Sequence, residues 1–170
     1  MSKRIFIYRH AKSDWSAAYG QDHDRPLAPR GIESAGVMGK MLGHSGQVPE
    51  LIITSTAVRA KETLEISKKE GNWQSEIRED RFLYDESIDH IYRMLTQLPE
   101  NYSSVMLVGH EPKCSALTAY LIGGGELTFK TATMARVDYF IEKWSELSPG
   151  GGELRWMQNP SLYLKGNFNF

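Results

Sequence analysis

Three short apolar runs constrain this chain most: Ile5-Phe6-Ile7-Tyr8, Leu51-Ile52-Ile53 and Val105-Met106-Leu107-Val108. Each is shorter than a helix and lacks the polar alternation of a strand with one wet face, so each reads as a strand covered on both sides. Between them, Ile32, Val37, Met38, Met41 and Leu42 fall near helical spacing within Gly31 to Leu42. Ile88, Ile91, Tyr92 and Leu95 do the same, and Leu98-Pro99 stops that helix. Thr54-Ser55-Thr56 offers hydroxyls to cap a helix beginning near Ala57, and Pro112 suits the first position of a helix running through Leu121. Trp73 to Leu83 is polar and irregular, with one short strand around Ile77. Met134 to Ile141 alternates in part and is expected to pair with Leu154 to Met157 across the turn Gly150-Gly151-Gly152. Strands alternating with helices predict an α/β fold with a mainly parallel sheet and a C-terminal β-hairpin.

The 170 residues fit one domain, residues 1–170, with 41% apolar and 24% charged residues, as in ordinary globular proteins. A net charge of -1 gives no general attraction to nucleic acid or an anionic membrane, although it would not hide a local anion site. Ile5 to Tyr8 is far too short for a signal-peptide core or a membrane span. Cys114 is the sole cysteine, which rules out an internal disulfide and points to a reducing, cytoplasmic setting.

In open α/β sheets, ligands bind beyond the carboxyl ends of the strands. Arg9-His10 stands just past the first run, Arg59 on the first turn of the helix after the second, and Gly109-His110 just past the third. Three strand ends therefore deliver two arginines and two histidines to one edge of the sheet. Any one of the four alone is a weak signal, since a single His after a strand is usually structural and a single Arg usually solvated. Together they suit phosphoryl transfer. Arginine stays charged and presents a planar fork to two phosphate oxygens. A neutral imidazole attacks phosphorus when one ring nitrogen donates to a carbonyl and leaves the other open. A second histidine can donate to a phosphoryl oxygen, and the nearby helix adds its N-terminal N–H groups. Nothing in this set requires a metal or cofactor.

The residues that carry these features also resemble a known family. Ile5-Phe6-Ile7-Tyr8-Arg9-His10-Ala11-Lys12-Ser13 is similar to the opening strand and Arg-His signature of the histidine phosphatase superfamily, the phosphoglycerate-mutase-like proteins. Its Ala-Lys-Ser continuation resembles the SixA-type phosphohistidine phosphatase branch. So do Asp22-His23-Asp24-Arg25-Pro26-Leu27 with Arg30-Gly31, and Thr54 to Thr63, Phe82-Leu83-Tyr84 and Val105 to Pro112. Phe129-Lys130-Thr131-Ala132 and Pro149 to Gly152 resemble its C-terminal strands. The resemblance implies a three-layer, doubly wound sheet with helices on both faces. It implies His10 as nucleophile, Arg9 and Arg59 as phosphate ligands, and His110 as the second histidine at the phosphoryl group. Thr56 stands where the family often has proline, and Ala28-Pro29 replaces a stronger helix cap. Many relatives carry a glutamate two residues beyond a leucine near Leu83. Here Asp85 occupies that place and Glu86 follows, so Asp85 is the first candidate for proton donor and Glu86 the second, the polar start of the next helix being the competing reading.

Only residues 60–109 separate Arg59 from His110, which leaves little chain for a lid. An open site suits a phosphorylated protein, and a phosphoramidate such as phosphohistidine makes little demand on an enzymic acid. The expected function is therefore a metal-independent phosphatase acting through a phosphohistidine intermediate on protein phosphohistidine or another phosphoramidate. The alternatives are a small-molecule phosphomonoester phosphatase of the same superfamily and a non-catalytic phosphate-binding module. Cys114 is no protein-tyrosine-phosphatase nucleophile, because Tyr120 stands where that loop needs arginine. The histidines at 10, 23, 44, 90 and 110 show no close metal-ligand pairing. Ser13, three residues past His10, is expected to reach a phosphoryl oxygen. Lys12, Arg25, Trp15, Tyr19, Tyr84 and His23 flank the motifs; each reads first as surface or packing, with the rim of the site as the alternative.

Overall fold

A computed structural model describes residues 2–166. The sheet has six strands: β1 (Lys3–Arg9), β2 (Leu51–Thr54), β3 (Glu76–Glu79), β4 (Ser104–Gly109), β5 (Met134–Tyr139) and β6 (Glu153–Gln158), in the order β3-β2-β4-β1-β5-β6. β3, β2, β4 and β1 pair in parallel, whereas β5 runs antiparallel to β1 and to β6. The helices are α1 (Pro29–His44), α2 (Val58–Gly71), α3 (Phe82–Asp85), α4 (Ile88–Thr96), α5 (Lys113–Ile122) and α6 (Pro160–Lys165).

The apolar runs are continuous because both faces of each strand are covered. Side chains alternate across a strand, and the core splits accordingly. Ile5, Ile7, Leu51, Ile53, Val105 and Leu107 face α4 and α5, packing with Ile91, Leu95, Leu117 and Leu121. Phe6, Tyr8, Ile52, Met106 and Val108 face α1 and α2, packing with Met38, Leu42, Ala60 and Leu64. This is the doubly wound arrangement that the family resemblance implies. Among the described residues no helix is long and apolar enough to cross a membrane.

Two close approaches fix the helices over the site. A Cβ at Gly31 would lie 2.1 Å from the Lys12 carbonyl oxygen, so only glycine lets α1 start against the exit of β1. A Cβ at Gly39 would meet the Ser67 carbonyl oxygen at 2.3 Å, where α1 crosses α2.

Several local expectations are corrected. α2 is capped by Ala57, not by the preceding hydroxyls; Ser55 Oγ instead accepts from the Ala57 N–H at 3.2 Å. Pro112 is the N-cap of α5 rather than its first residue. β5 and β6 pair as expected, but residues 140–152 between them form a long connection anchored by the fully buried Trp144, not a tight hairpin. α3 and α6 were not expected; both are too short to show helical periodicity in sequence.

Candidate active site

β1 ends at Arg9, and the next residue is locked from two sides. The His10 N–H donates to the Gly109 carbonyl at 2.9 Å, and the His10 carbonyl accepts from the Ala132 N–H at 3.1 Å. The side chain is buried, and Nδ1 lies 2.7 Å from the Ala11 carbonyl oxygen. A carbonyl only accepts, so Nδ1 carries the proton and Nε2 presents its lone pair. Thr63 ties α2 to this loop, accepting from the Ala11 N–H at 2.9 Å and donating to the Arg59 carbonyl at 2.6 Å. Arg59, on the first turn of α2, thus reaches His10, and its Nε donates to His10 Nε2 at 3.3 Å.

His110 follows β4 and sets its ring centroid 5.0 Å from that of His10. Its Nε2 lies 2.8 Å from Ser55 Oγ, and Tyr84 packs edge-on against it at 5.1 Å. Arg9 donates from Nη1 to the Phe129 carbonyl at 2.5 Å. Arg9 Nε, His110 Nδ1 and Glu111 Oε1 are buried with no hydrogen-bond partner among the described residues. Such groups are rare in native interiors and gather where a ligand or reaction uses them.

These residues line one cleft of about 220 Å³, together with Lys12, Ser13, Trp15, Arg25, Glu111 and Thr131. A larger hollow of about 510 Å³ lies by the β3 edge, against Arg78, Phe82 and Met94, and holds none of the four converging residues. Burial is the main force on both imidazoles, since it disfavours their charged forms. His10 is pushed down to about 4 by burial, against the Ala11 bond, with the charges of Arg59, Arg9 and Arg25 adding to the effect. His110 is pushed down to about 2 by burial, then by His10, Arg59 and Lys113. Both rings are neutral at pH 7.

Asp22 organises the arginines. Its Oδ1 accepts from Arg25 Nε and Nη2 at 3.2 and 2.8 Å, and its Oδ2 from Arg59 Nη2 and the Tyr84 hydroxyl, both at 3.0 Å. The Asp22 carbonyl takes Arg59 Nη1 at 2.7 Å. Partial burial works to raise the carboxyl's pKa, but the bonds from Arg25 and Tyr84 and the two guanidinium charges outweigh it and hold it at about 2.

The structure brings Arg9, His10, Arg59, His110 and Ser13 together at the cleft. Ser13 Oγ is already engaged there, accepting from Arg25 Nη1. It does not bring Asp85 or Glu86 there. Asp85 is exposed and paired with Arg81 at 2.6 Å, and Glu86 sits 3.9 Å from His90. Neither lines the cleft, and of α3 it is Leu83 that is buried in the core. His23 does not line the cleft; its Nε2 lies 2.9 Å from Thr56 Oγ1 and its ring is edge-on to Tyr84 at 5.1 Å. Sequence reasoning did not single out Asp22 or Glu111. Asp22 opens the Asp22-His23-Asp24-Arg25-Pro26-Leu27 motif, but nothing in spacing shows that its loop folds back over Arg59. Glu111 had the plainer signal of following His110 directly. Among the described residues no group of three or more His, Cys, Asp or Glu stands together as a metal site.

Residues 5–154 match the family profile of the histidine phosphatase superfamily (branch 1). A Mycobacterium tuberculosis protein is 35% identical over 152 residues, covering 84% of this chain and 92% of its own. The solved structure of the protein histidine phosphatase SixA complexed with tungstate aligns with a TM-score of 0.81 and 26% identity, over 94% of this chain and 99% of that one. A structure from Agrobacterium tumefaciens that also bears the SixA name gives 0.78 and 26%, over 93% and 98%.

Proposed function

This chain belongs to the histidine phosphatase superfamily, and from that premise we propose that it is a metal-independent phosphatase that transfers phosphoryl groups through His10, with protein phosphohistidine or another phosphoramidate as substrate. The observation that carries the reading is the His10 imidazole. It is neutral, its Nδ1–H is fixed on the Ala11 carbonyl, and its Nε2 lone pair meets Arg59 inside a cleft lined by three guanidinium groups.

In the proposed reaction the phosphoryl oxygens displace the Arg59 Nε contact and are held by Arg9, Arg59 and the His110 edge. His10 Nε2 attacks phosphorus in line. The P–N bond to the substrate's imidazole breaks as the N–P bond to His10 forms, and the leaving nitrogen takes a proton from water. A second water then attacks phosphorus as the P–N bond to His10 breaks, giving its proton to the hydroxide left by the first step, so that inorganic phosphate is released and His10 returns to its neutral form. Preorganised donors of this kind are each worth roughly 10²–10³ in rate. An imidazole leaving group accepts a proton readily, which agrees with a cleft where Asp22 is held ionised and Asp85 and Glu86 lie outside.

The test is phosphate release from a histidine-phosphorylated protein beside a panel of small phosphomonoesters, without added metal, for wild type and His10→Ala. Fast release from the phosphohistidine protein alone, abolished in the variant, is expected. Release only from small esters would overturn the substrate class and keep the mechanism. Wild type and variant behaving alike would overturn the mechanism, and a binding module would retain its phosphorylated ligand without turning it over.

A further inference from the structure

We propose that Trp15, stacked on Arg25 at the solvent end of the cleft, is a specificity-determining residue that packs against the imidazole leaving group of the substrate; this rests on the phosphohistidine reading above and names the group that would choose it. Trp15 is 66% exposed, although indole is costly to leave in water and is normally well covered. Its exposure is not that of a loose loop. The segment carrying it is closed by the Asp14 N–H on the Pro26 carbonyl at 2.8 Å and the Ala28 N–H on the Lys12 carbonyl at 2.9 Å. Asp14 Oδ1 braces the turn, taking the Ser16 N–H at 2.9 Å and hydroxyl at 2.7 Å.

One face of the indole is fixed by a cation. The Arg25 guanidinium carbon lies 3.6 Å from the Trp15 ring centroid. Arg25 is itself a built-in support, only 5% exposed, with Nε and Nη2 on Asp22 and Nη1 on Ser13. A buried arginine held on every side cannot follow a mobile ring, so it fixes the indole plane.

Direction supplies the rest. His10 is 7% exposed and Trp15 66%, and both line the cleft, so a group expelled in line from His10 toward solvent would leave past Trp15. A leaving imidazole is planar and aromatic, and an offset stack on indole favours it over a leaving group without a ring. A stack of ordinary strength corresponds to about 3- to 10-fold in selectivity.

The experiment compares wild type, Trp15→Ala and Trp15→Phe on three substrates sharing one P–N bond: a histidine-phosphorylated protein, free phosphohistidine, and the phosphoramidate ion, which has no ring. The quantity read is kcat/KM for each phosphohistidine substrate divided by that for phosphoramidate. Trp15→Ala is expected to lower both ratios about 3- to 10-fold, mainly through KM, and Trp15→Phe to recover most of the loss. Ratios that stay constant would overturn the proposal, since Trp15 would then serve only packing. A loss confined to the protein substrate would also overturn it, because the contact would be with the partner's surface rather than the ring. Wild type that hydrolyses phosphoramidate but neither phosphohistidine substrate would sink the substrate reading itself, and the inference with it.

Discussion

Arg59 and Asp22 are joined twice, by Arg59 Nη1 on the Asp22 carbonyl at 2.7 Å and Nη2 on its carboxylate at 3.0 Å, while Arg59 Nε points to His10 Nε2. The same carboxylate holds Arg25, so one aspartate orients two of the three guanidinium groups that line the cleft. Asp22→Ala is expected to let both side chains sample other rotamers. Its kcat/KM should fall by up to about 10²-fold, the scale of a misplaced catalytic group, and Asp22→Asn should lose less because it keeps an oxygen acceptor. Steady-state kinetics, with inorganic phosphate as a competing inhibitor, checks this. Tighter phosphate inhibition in Asp22→Ala would show that the carboxylate mainly competes with the anion.

Thr63 is fully buried and bridges the Ala11 N–H to the Arg59 carbonyl. Thr63→Val keeps the shape and orphans the amide. The cost is expected to be about 1–3 kcal/mol, or a Tm lower by roughly 3–10 °C for a chain of this size. Calorimetry gives the number, and an unchanged Tm would mean that the loop finds another acceptor.

Asp85 and Glu86 stand outside the cleft. Asp85→Asn and Glu86→Gln, alone or together, are expected to leave kcat on a phosphohistidine substrate within about 2-fold, well below the roughly 10²-fold typical of a lost acid or base. A loss of 10²-fold in either would restore that residue as proton donor.

The two buried imidazoles make stability depend on pH. Their folded pKa values, about 4 for His10 and about 2 for His110, lie below the unfolded 6.5. Between those limits the unfolded chain binds more protons, so stability rises with pH and is lost as pH falls below about 6.5. Each group contributes up to about 1.4 kcal/mol per pH unit across its window. Denaturant midpoints measured from pH 7 to pH 4.5 should fall steadily, and more shallowly in His110→Gln. A flat profile would contradict the burial argument. For the reaction, the acid limb of kcat/KM should fall near pH 4 rather than 6.5, because His10 stays unprotonated above about 4.

How much was legible beforehand varied with the kind of signal. Ile5 to Tyr8, Leu51 to Ile53 and Val105 to Val108 announced buried strands because both faces are covered, and strand ends then placed Arg9, His10, Arg59 and His110 at one edge. Capping was less legible: Ser55 looked like a helix cap, yet Ala57 is the N-cap, and the Ser55 hydroxyl bonds both the Ala57 N–H and His110. The role of Asp22 was hidden because it depends on a loop folding back across Arg59, a long-range contact without period or spacing. Arg25 read as a surface charge for the same reason. Its burial comes from Trp15, Ser13 and Asp22 closing round it, which none of those residues signals alone.

The central claim is that His10 Nε2 carries the phosphoryl group. The most direct measurement is a rapid quench of the enzyme mixed with a ³²P-labelled histidine-phosphorylated protein, followed by acid and alkali treatment of the labelled enzyme and peptide mapping. A transient label, labile in acid and stable in alkali, is expected on the peptide containing His10 and absent from His10→Ala. Full turnover with no labelled enzyme at any quench time, or label on a residue other than His10, would contradict it.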